Sequence, residues 1–169
     1  MSGLTFRPIR PEDHDFLRRL YASTREEELA TVADWTAEQK EAFLRQQFEA
    51  QHAHYQKYYP EASFDLILEG GEPVGRLYVS RWEREIRLVD VALVPAARGR
   101  GLGTRLLRDL LAEGERTGKA VSIHVERFNP ALRLYRRLGF REIEEKGPYF
   151  LMEWRPPSGE DRPQVKTAS

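Results

Sequence analysis

The chain has 169 residues, no cysteine, and 27 Lys plus Arg against 27 Asp plus Glu. That length suits one domain with a single core, and the charge balance excludes a global field favouring nucleic acid or an anionic membrane, so any anion site is local. Lack of cysteine excludes disulfides, thiolate metal sites and a cysteine acyl-enzyme, while the absence of an apolar signal core in MSGLTFRPIRPEDHD and of any long apolar run leads us to expect a soluble, cytoplasmic protein.

Leu4, Phe6 and Ile9 begin a short strand-like segment, which Pro11-Glu12-Asp13 turns into a helix start with acids in its first turn. Phe16, Leu17, Leu20 and Tyr21 then recur at helical spacing. Thr36 and Gln39 form a capping-box pattern, followed by a stripe of Phe43, Leu44, Phe48 and Tyr55 in a helix that ends before Pro60. From residue 63 the period changes. SFDLILEGGEPVGRLYVSRWEREIRLVDVALVP holds three β-rich runs joined by short turns, which predicts antiparallel strands.

After a glycine-rich turn, Leu106, Leu107, Leu110 and Leu111 mark one helical face that Gly118 stops. AVSIHVERF reads as a strand parallel to its predecessor, because a helix intervenes. Asn129-Pro130 reads as an N-cap with proline at the first helical position, opening a short helix that Gly139 ends. FREIEEKGPYFLMEW closes the fold as a hairpin. The whole predicts an α/β mixed sheet of about seven mostly antiparallel strands with four helices, in a domain of residues 1–155. The polar, proline-bearing residues 156–169 are expected to form a flexible tail.

The turn PAARGRGLGT alternates Gly99, Gly101 and Gly103 with Arg100 and Leu102, just before a helix whose first amides have no intrahelical acceptor. Those donors, the helix dipole, Arg98 and Arg100 suit a diphosphate, and missing Cβ atoms let it approach the backbone through Thr104. The bland alternative is a turn that only changes direction. A Walker loop is excluded because Gly103-Thr104 lacks the lysine. A dinucleotide fingerprint fits poorly: its third small position falls on Thr104, and antiparallel strands precede it, although Glu126 stands at a fair separation for a ribose contact.

These residues resemble the GNAT superfamily of acetyl-coenzyme A-dependent N-acetyltransferases. The family signature appears as Arg98-Gly99-Arg100-Gly101-Leu102-Gly103 after a strand ending in VALVP, and NPALRLYRRLGF, Asn129 to Phe140, resembles the segment after the family's fifth strand. The likeness covers about residues 4–154. It implies the GNAT fold, with strands four and five parallel and splayed, and acetyl-CoA as cosubstrate with no metal. It further implies a pantetheine arm paired with the backbone at Leu93 and Val94, pyrophosphate on residues 98 to 104, and coenzyme contacts from Asn129 and Tyr135.

Acetyl transfer to an amine needs a neutral nucleophile, a polarised carbonyl and a proton for the departing thiolate. The resemblance places Tyr135 as the acid. Asp90 interrupts the apolar strand LVDVALV and is a candidate base, with water as the other; a carboxylate satisfied by a neighbouring strand or by Arg87 is the plain reading. His124 and Glu126 share a strand face and suit either a water relay or an exposed pair. Gln47, Gln51, His54 and Tyr55 fall near one helical face, as an acceptor pocket or as a solvated helix; the substrate-binding candidates are Gln47, Gln51 and Tyr55. His52 and His54 lack a nearby third ligand for metal.

The expectation is therefore an enzyme moving acetyl from acetyl-CoA to a primary amine by direct attack, with a coenzyme A-binding regulatory module without turnover as the alternative. Its partner is a small-molecule or protein amine, not nucleic acid or membrane, and it acts as a monomer or homodimer.

Overall fold

A computed structural model describes residues 3–157 of the chain, so the expected tail lies outside the described residues from position 158 onward. In chain order the elements are β1 (Leu4–Pro8), α1 (His14–Ser23), α2 (Glu26–Ala30), α3 (Ala37–Tyr58), β2 (Ser63–Glu69), β3 (Glu72–Arg81), β4 (Glu85–Leu93), α4 (Leu102–Thr117), β5 (Ala120–Glu126), α5 (Leu132–Arg137), β6 (Arg141–Lys146) and β7 (Tyr149–Trp154). The strands form one mixed sheet in the order β1-β2-β3-β4-β5-β7-β6. β4 and β5 run parallel, as the intervening helix predicts.

Two expectations on the helices change. There are five α-helices among the described residues rather than four, because α2, EEELA, buries only Leu29 and is too short to show a stripe. The helix expected to open at Asn129 begins at Leu132. Asn129 Oδ1 accepts the Ala131 amide at 2.8 Å and its carbonyl accepts from Leu132 at 3.0 Å, so it caps the turn that leads into α5.

By contacts the chain falls into two compact units, one running up to Tyr78 together with Asp90–Arg98, the other Val79–Val89 together with Gly99 onward. In the first, Leu17 and Tyr21 of α1 and Phe48 of α3 pack on Leu66 of β2. The α3 start follows its capping box: Thr36 Oγ1 accepts the Gln39 amide at 3.0 Å, and Gln39 Oε1 accepts the Thr36 amide at 2.8 Å. Such a cap contributes about 1 kcal/mol. Asp13, buried before α1, takes a two-pronged bond from Arg7 at 2.8 and 2.9 Å and a third from the Arg10 amide.

In the second unit α4 buries Leu102, Leu106, Leu107, Leu110 and Leu111, and Gly118 ends it in the left-handed region at φ +70°. Gly114 lets α4 approach closely. A Cβ there would meet the Lys119 carbonyl oxygen at 2.8 Å and Trp154 Cζ3 at 2.9 Å. Beneath it β5 pairs antiparallel with β7 from Val121↔Trp154 to Glu126↔Tyr149.

This packing can be tested at two points. Gly114→Ala gains about 1 kcal/mol of helix propensity, but overpacking against backbone and a rigid indole costs about 1–3 kcal/mol, so the melting temperature should fall. A melt at or above the parent temperature would show that α4 has room to shift. The hydrogen bonds from Arg7, then that from the Arg10 amide, hold the Asp13 carboxyl below its ordinary range. That stabilisation is present above about pH 4 and is lost as pH falls through the lowered folded value. Denaturant titrations should therefore show stability falling less steeply toward about pH 2 in Asp13→Asn than in the parent; equal slopes would contradict it.

Candidate functional site

The glycine turn is built by backbone conformation. Beyond β4 the chain makes a single 3₁₀ turn at Pro95–Ala97, anchored by buried Ala97, and Gly99 and Gly101 then adopt φ +77° and +81°. Side chains strain in that region, so glycine is required at both. Gly103 differs, because it lies in the first turn of α4 without positive φ. A Cβ at any of the three meets no heavy atom within 4 Å.

Beside that open surface no side chain caps α4, and the Arg105 amide bonds the Gly101 carbonyl at 3.0 Å to open the helical ladder. The amides of Leu102, Gly103 and Thr104 precede the ladder and carry the positive end of the helix dipole. The fit is to a phosphate group, with exposed Arg100 adding positive charge. Arg98 acts differently. Its Nε donates to the Leu93 carbonyl at 2.9 Å and its Nη2 to Ser23 Oγ at 3.0 Å, bracing the end of β4 to the end of α1.

β4 is irregular where the sequence places its site residues. Its parallel register with β5 runs from Glu85↔Ala120 to Leu88↔Ile123, while the strand itself continues to Leu93. On its other edge the Trp82 amide donates to the Glu85 carbonyl and the Val94 amide to the Val74 carbonyl, both at 2.9 Å. β4 thus spends one residue more than β3 over the same span, the signature of a β-bulge. Gly75 permits the close approach there, since a Cβ would stand 2.3 Å from the Ala92 carbonyl oxygen.

On these strands sits a buried polar cluster that sequence reasoning missed in part. Arg76 of β3 is 3% exposed; its Nη2 pairs with Asp90 Oδ2 and donates to Gln51 Oε1 of α3 at 2.8 Å. Its guanidinium lies over the Tyr78 ring, 5.0 Å from the centroid, and Tyr55 meets that ring edge-on at 5.8 Å. Burial works against the guanidinium charge, and Asp90 with the two phenols more than restores it. Burial, then Asp90, pushes the Tyr55 phenol well above its ordinary value, and burial raises Tyr78. Arg76 Nε, Tyr78 Oη and Asp90 Oδ2 are buried without a hydrogen bond, the last facing Arg76 Nη2 as an ion pair.

Arg76 therefore brings together two sequence-predicted residues, Asp90 and Gln51, and a third, Tyr55, joins them through the Tyr78 ring, whereas Gln47, one turn earlier, is exposed. Arg87, the partner considered for Asp90, bonds Ser122 Oγ at 2.7 Å and Glu85 at 3.2 Å. The available signal for Arg76 was a lone cation in the otherwise uncharged run PVGRLYVS, directly after glycine.

Tyr135 is 5% exposed on α5, edge-on to Phe140 with ring centroids 5.6 Å apart. Burial, then Arg87, lowers the His124 imidazole below its ordinary value. Arg87 Nη1 lies 3.3 Å from His124 Nδ1, and since a guanidinium only donates, that nitrogen is the acceptor. Its neighbour Glu126 is half-buried at the end of β5. Exposed His54 packs on Tyr58 at 4.7 Å, and His52 stacks on Phe48 at 5.7 Å. Among the described residues no group of three or more His, Cys, Asp or Glu is arranged to hold a metal ion. A cavity of about 660 Å³ in the first unit is lined by Arg10, His14, Leu17, His52, Phe64 and Asp65 among others, and by none of the coenzyme, catalytic or acceptor candidates named above.

Residues 15–140 match the model of the acetyltransferase (GNAT) family, within the expected domain. Over 86 residues the chain is 37% identical to the N-alpha-acetyltransferase RimI of Mycobacterium tuberculosis, covering 48% of this chain and 53% of that protein, so it spans about half the length of this curated relative. The fold is similar to a PaiA N-acetyltransferase from Thermoplasma acidophilum in complex with coenzyme A, with TM-score 0.64, 18% identity and coverage of 92% of this chain and 99% of that one. An acetyltransferase from Thermus thermophilus gives TM-score 0.62 and 25% identity over 90% and 96% of the two chains. With the family match covering most of its length and the glycine turn and sheet order in place, the chain belongs to the acetyltransferase (GNAT) family.

Proposed function

We propose that the chain is an N-acetyltransferase that moves the acetyl group of acetyl-CoA to a primary amine by direct attack. The observation that carries this reading is the turn at Gly99–Gly103, where open surface lies against the uncapped first amides of α4. When bound, acetyl-CoA supplies an activated acyl group as its thioester. The amides of Leu102, Gly103 and Thr104, with Arg100, hold the pyrophosphate. Because the Leu93 carbonyl accepts from Arg98 and the Val94 amide donates to Val74, pairing with the pantetheine arm falls to the Leu93 amide.

Tyr135 donates the proton that the departing thiolate requires, and a phenol suits that step. Asp90 already gives one oxygen to Arg76, so its second oxygen orients the amine while water takes the proton. The relative named as an N-alpha-acetyltransferase makes an α-amine a reasonable acceptor to test first.

Calorimetry with acetyl-CoA tests the turn. Gly103→Val fills the open surface without conformational strain and should weaken binding roughly 10- to 100-fold, the loss of one or more charge-assisted bonds, with a parent-like melt. Gly101→Val should also lose stability, because valine does not tolerate φ +81°. Unchanged affinity in Gly103→Val assigns the turn a purely structural role.

Tyr135→Phe keeps the ring against Phe140 and removes only the hydroxyl. It should bind acetyl-CoA as tightly as the parent and lose about 10- to 1000-fold in kcat on an amine panel. Parent-like kcat with chemistry rate-limiting removes Tyr135 from the proton path. Tight acetyl-CoA binding by the parent with no transfer to any amine supports the regulatory module instead.

A further inference from the structure

Arg76 has a geometry that neither packing nor charge balance alone requires. Both contacts that it makes to the site use one nitrogen: Nη2 forms the ion pair with Asp90 Oδ2 and donates a hydrogen bond to Gln51 Oε1. The guanidinium has only hydrogens to give, so Gln51 must turn its oxygen inward and its NH2 group away from Arg76. Asp90 is held in the same way, one oxygen in the clamp and the other outside it. With both contacts on one nitrogen, the two clamped oxygens stand roughly 5 Å apart or less.

We propose that Arg76 is a positioning residue that fixes these two groups as a matched pair, a donor on Gln51 beside an acceptor on Asp90. The pair fits a primary amine with a carbonyl on the adjacent carbon, an α-amino amide: its amine donates to Asp90 and its carbonyl oxygen accepts from Gln51. A simple alkylamine satisfies only half of the pair. The Arg76–Asp90 ion pair is formally neutral, so selection rests on hydrogen-bond pattern rather than on attraction of a cation. Arg76 itself is too buried to touch the acceptor and works through the two groups it holds.

This inference rests on the N-acetyltransferase reading, and its test separates the two. The probes are alaninamide and isopropylamine, alike except for the amide, with rates referred to the neutral amine in each case. The parent should prefer alaninamide by about tenfold or more in kcat/KM, through KM. Gln51→Met, at a half-buried position, should abolish that preference by lowering kcat/KM for alaninamide far more than for isopropylamine, with acetyl-CoA affinity unchanged and the melt recorded alongside. Arg76→Met should lose the preference too, with slower turnover of both probes because the carboxylate that orients the amine loses its partner, and Arg76→Lys, which keeps the charge but not the fork, should restore the preference only in part.

A second readout needs no turnover. In the coenzyme A-loaded protein, alaninamide should shift the Gln51 side-chain NH2 resonances, isopropylamine should not, and Arg76→Met should remove the response. Equal kcat/KM for the two probes, a preference that survives Gln51→Met, or an unmoved NH2 signal overturns the proposal and leaves Arg76 as a structural ion pair. Failure to bind acetyl-CoA would instead strike the N-acetyltransferase reading.

Discussion

A guanidinium almost entirely out of water governs the arrangement of the first unit. Taking such a charge from solvent costs several kcal/mol even after relaxation, and Arg76 recovers it through Asp90, Gln51 and the face of the Tyr78 ring. Three elements are thereby tied to one side chain: β3 carries it, β4 supplies the counter-charge and α3 supplies the amide. The bulge in β4 and the closeness allowed by Gly75 belong to the same arrangement, since they set how β4 runs beside β3. Tyr78 and Tyr55 then pack against it with their phenols held in the neutral form by burial.

The glycine turn obeys a different constraint. Two of its glycines are there for conformation and one for space, so the three are not equivalent although they alternate evenly in sequence. The two arginines also divide their work. Arg100 is exposed beside the uncapped helix start, whereas Arg98 turns back to brace β4 against Ser23. That brace stabilises the approach to the turn and occupies the Leu93 carbonyl, a group the sequence alone left open for the coenzyme.

Local patterns made most of the architecture legible. The capping box at Thr36, the strand runs of residues 63–93, the leucine face of α4 and the stop at Gly118 all rest on contacts within a few residues, and the structure places each where its pattern reads. α2 escaped because five residues cannot display a period. α5 starts two residues late because Asn129 bonds the turn ahead of the helix, a choice its dipeptide with Pro130 does not distinguish.

What the sequence by itself determined is the order of elements, the parallel step across α4 and the glycine turn with its family signature, because each depends on backbone preferences that neighbouring residues impose. Only the tertiary structure decided the partners of the charged groups. Arg76 meets Gln51 across 25 positions and Arg98 meets Ser23 across 75, and nothing in a one-dimensional pattern ranks those encounters above the alternatives. In sequence Asp90 is a lone carboxylate in an apolar strand. Packing made it half of a buried ion pair, because a guanidinium out of water must find a counter-charge wherever the fold brings one near.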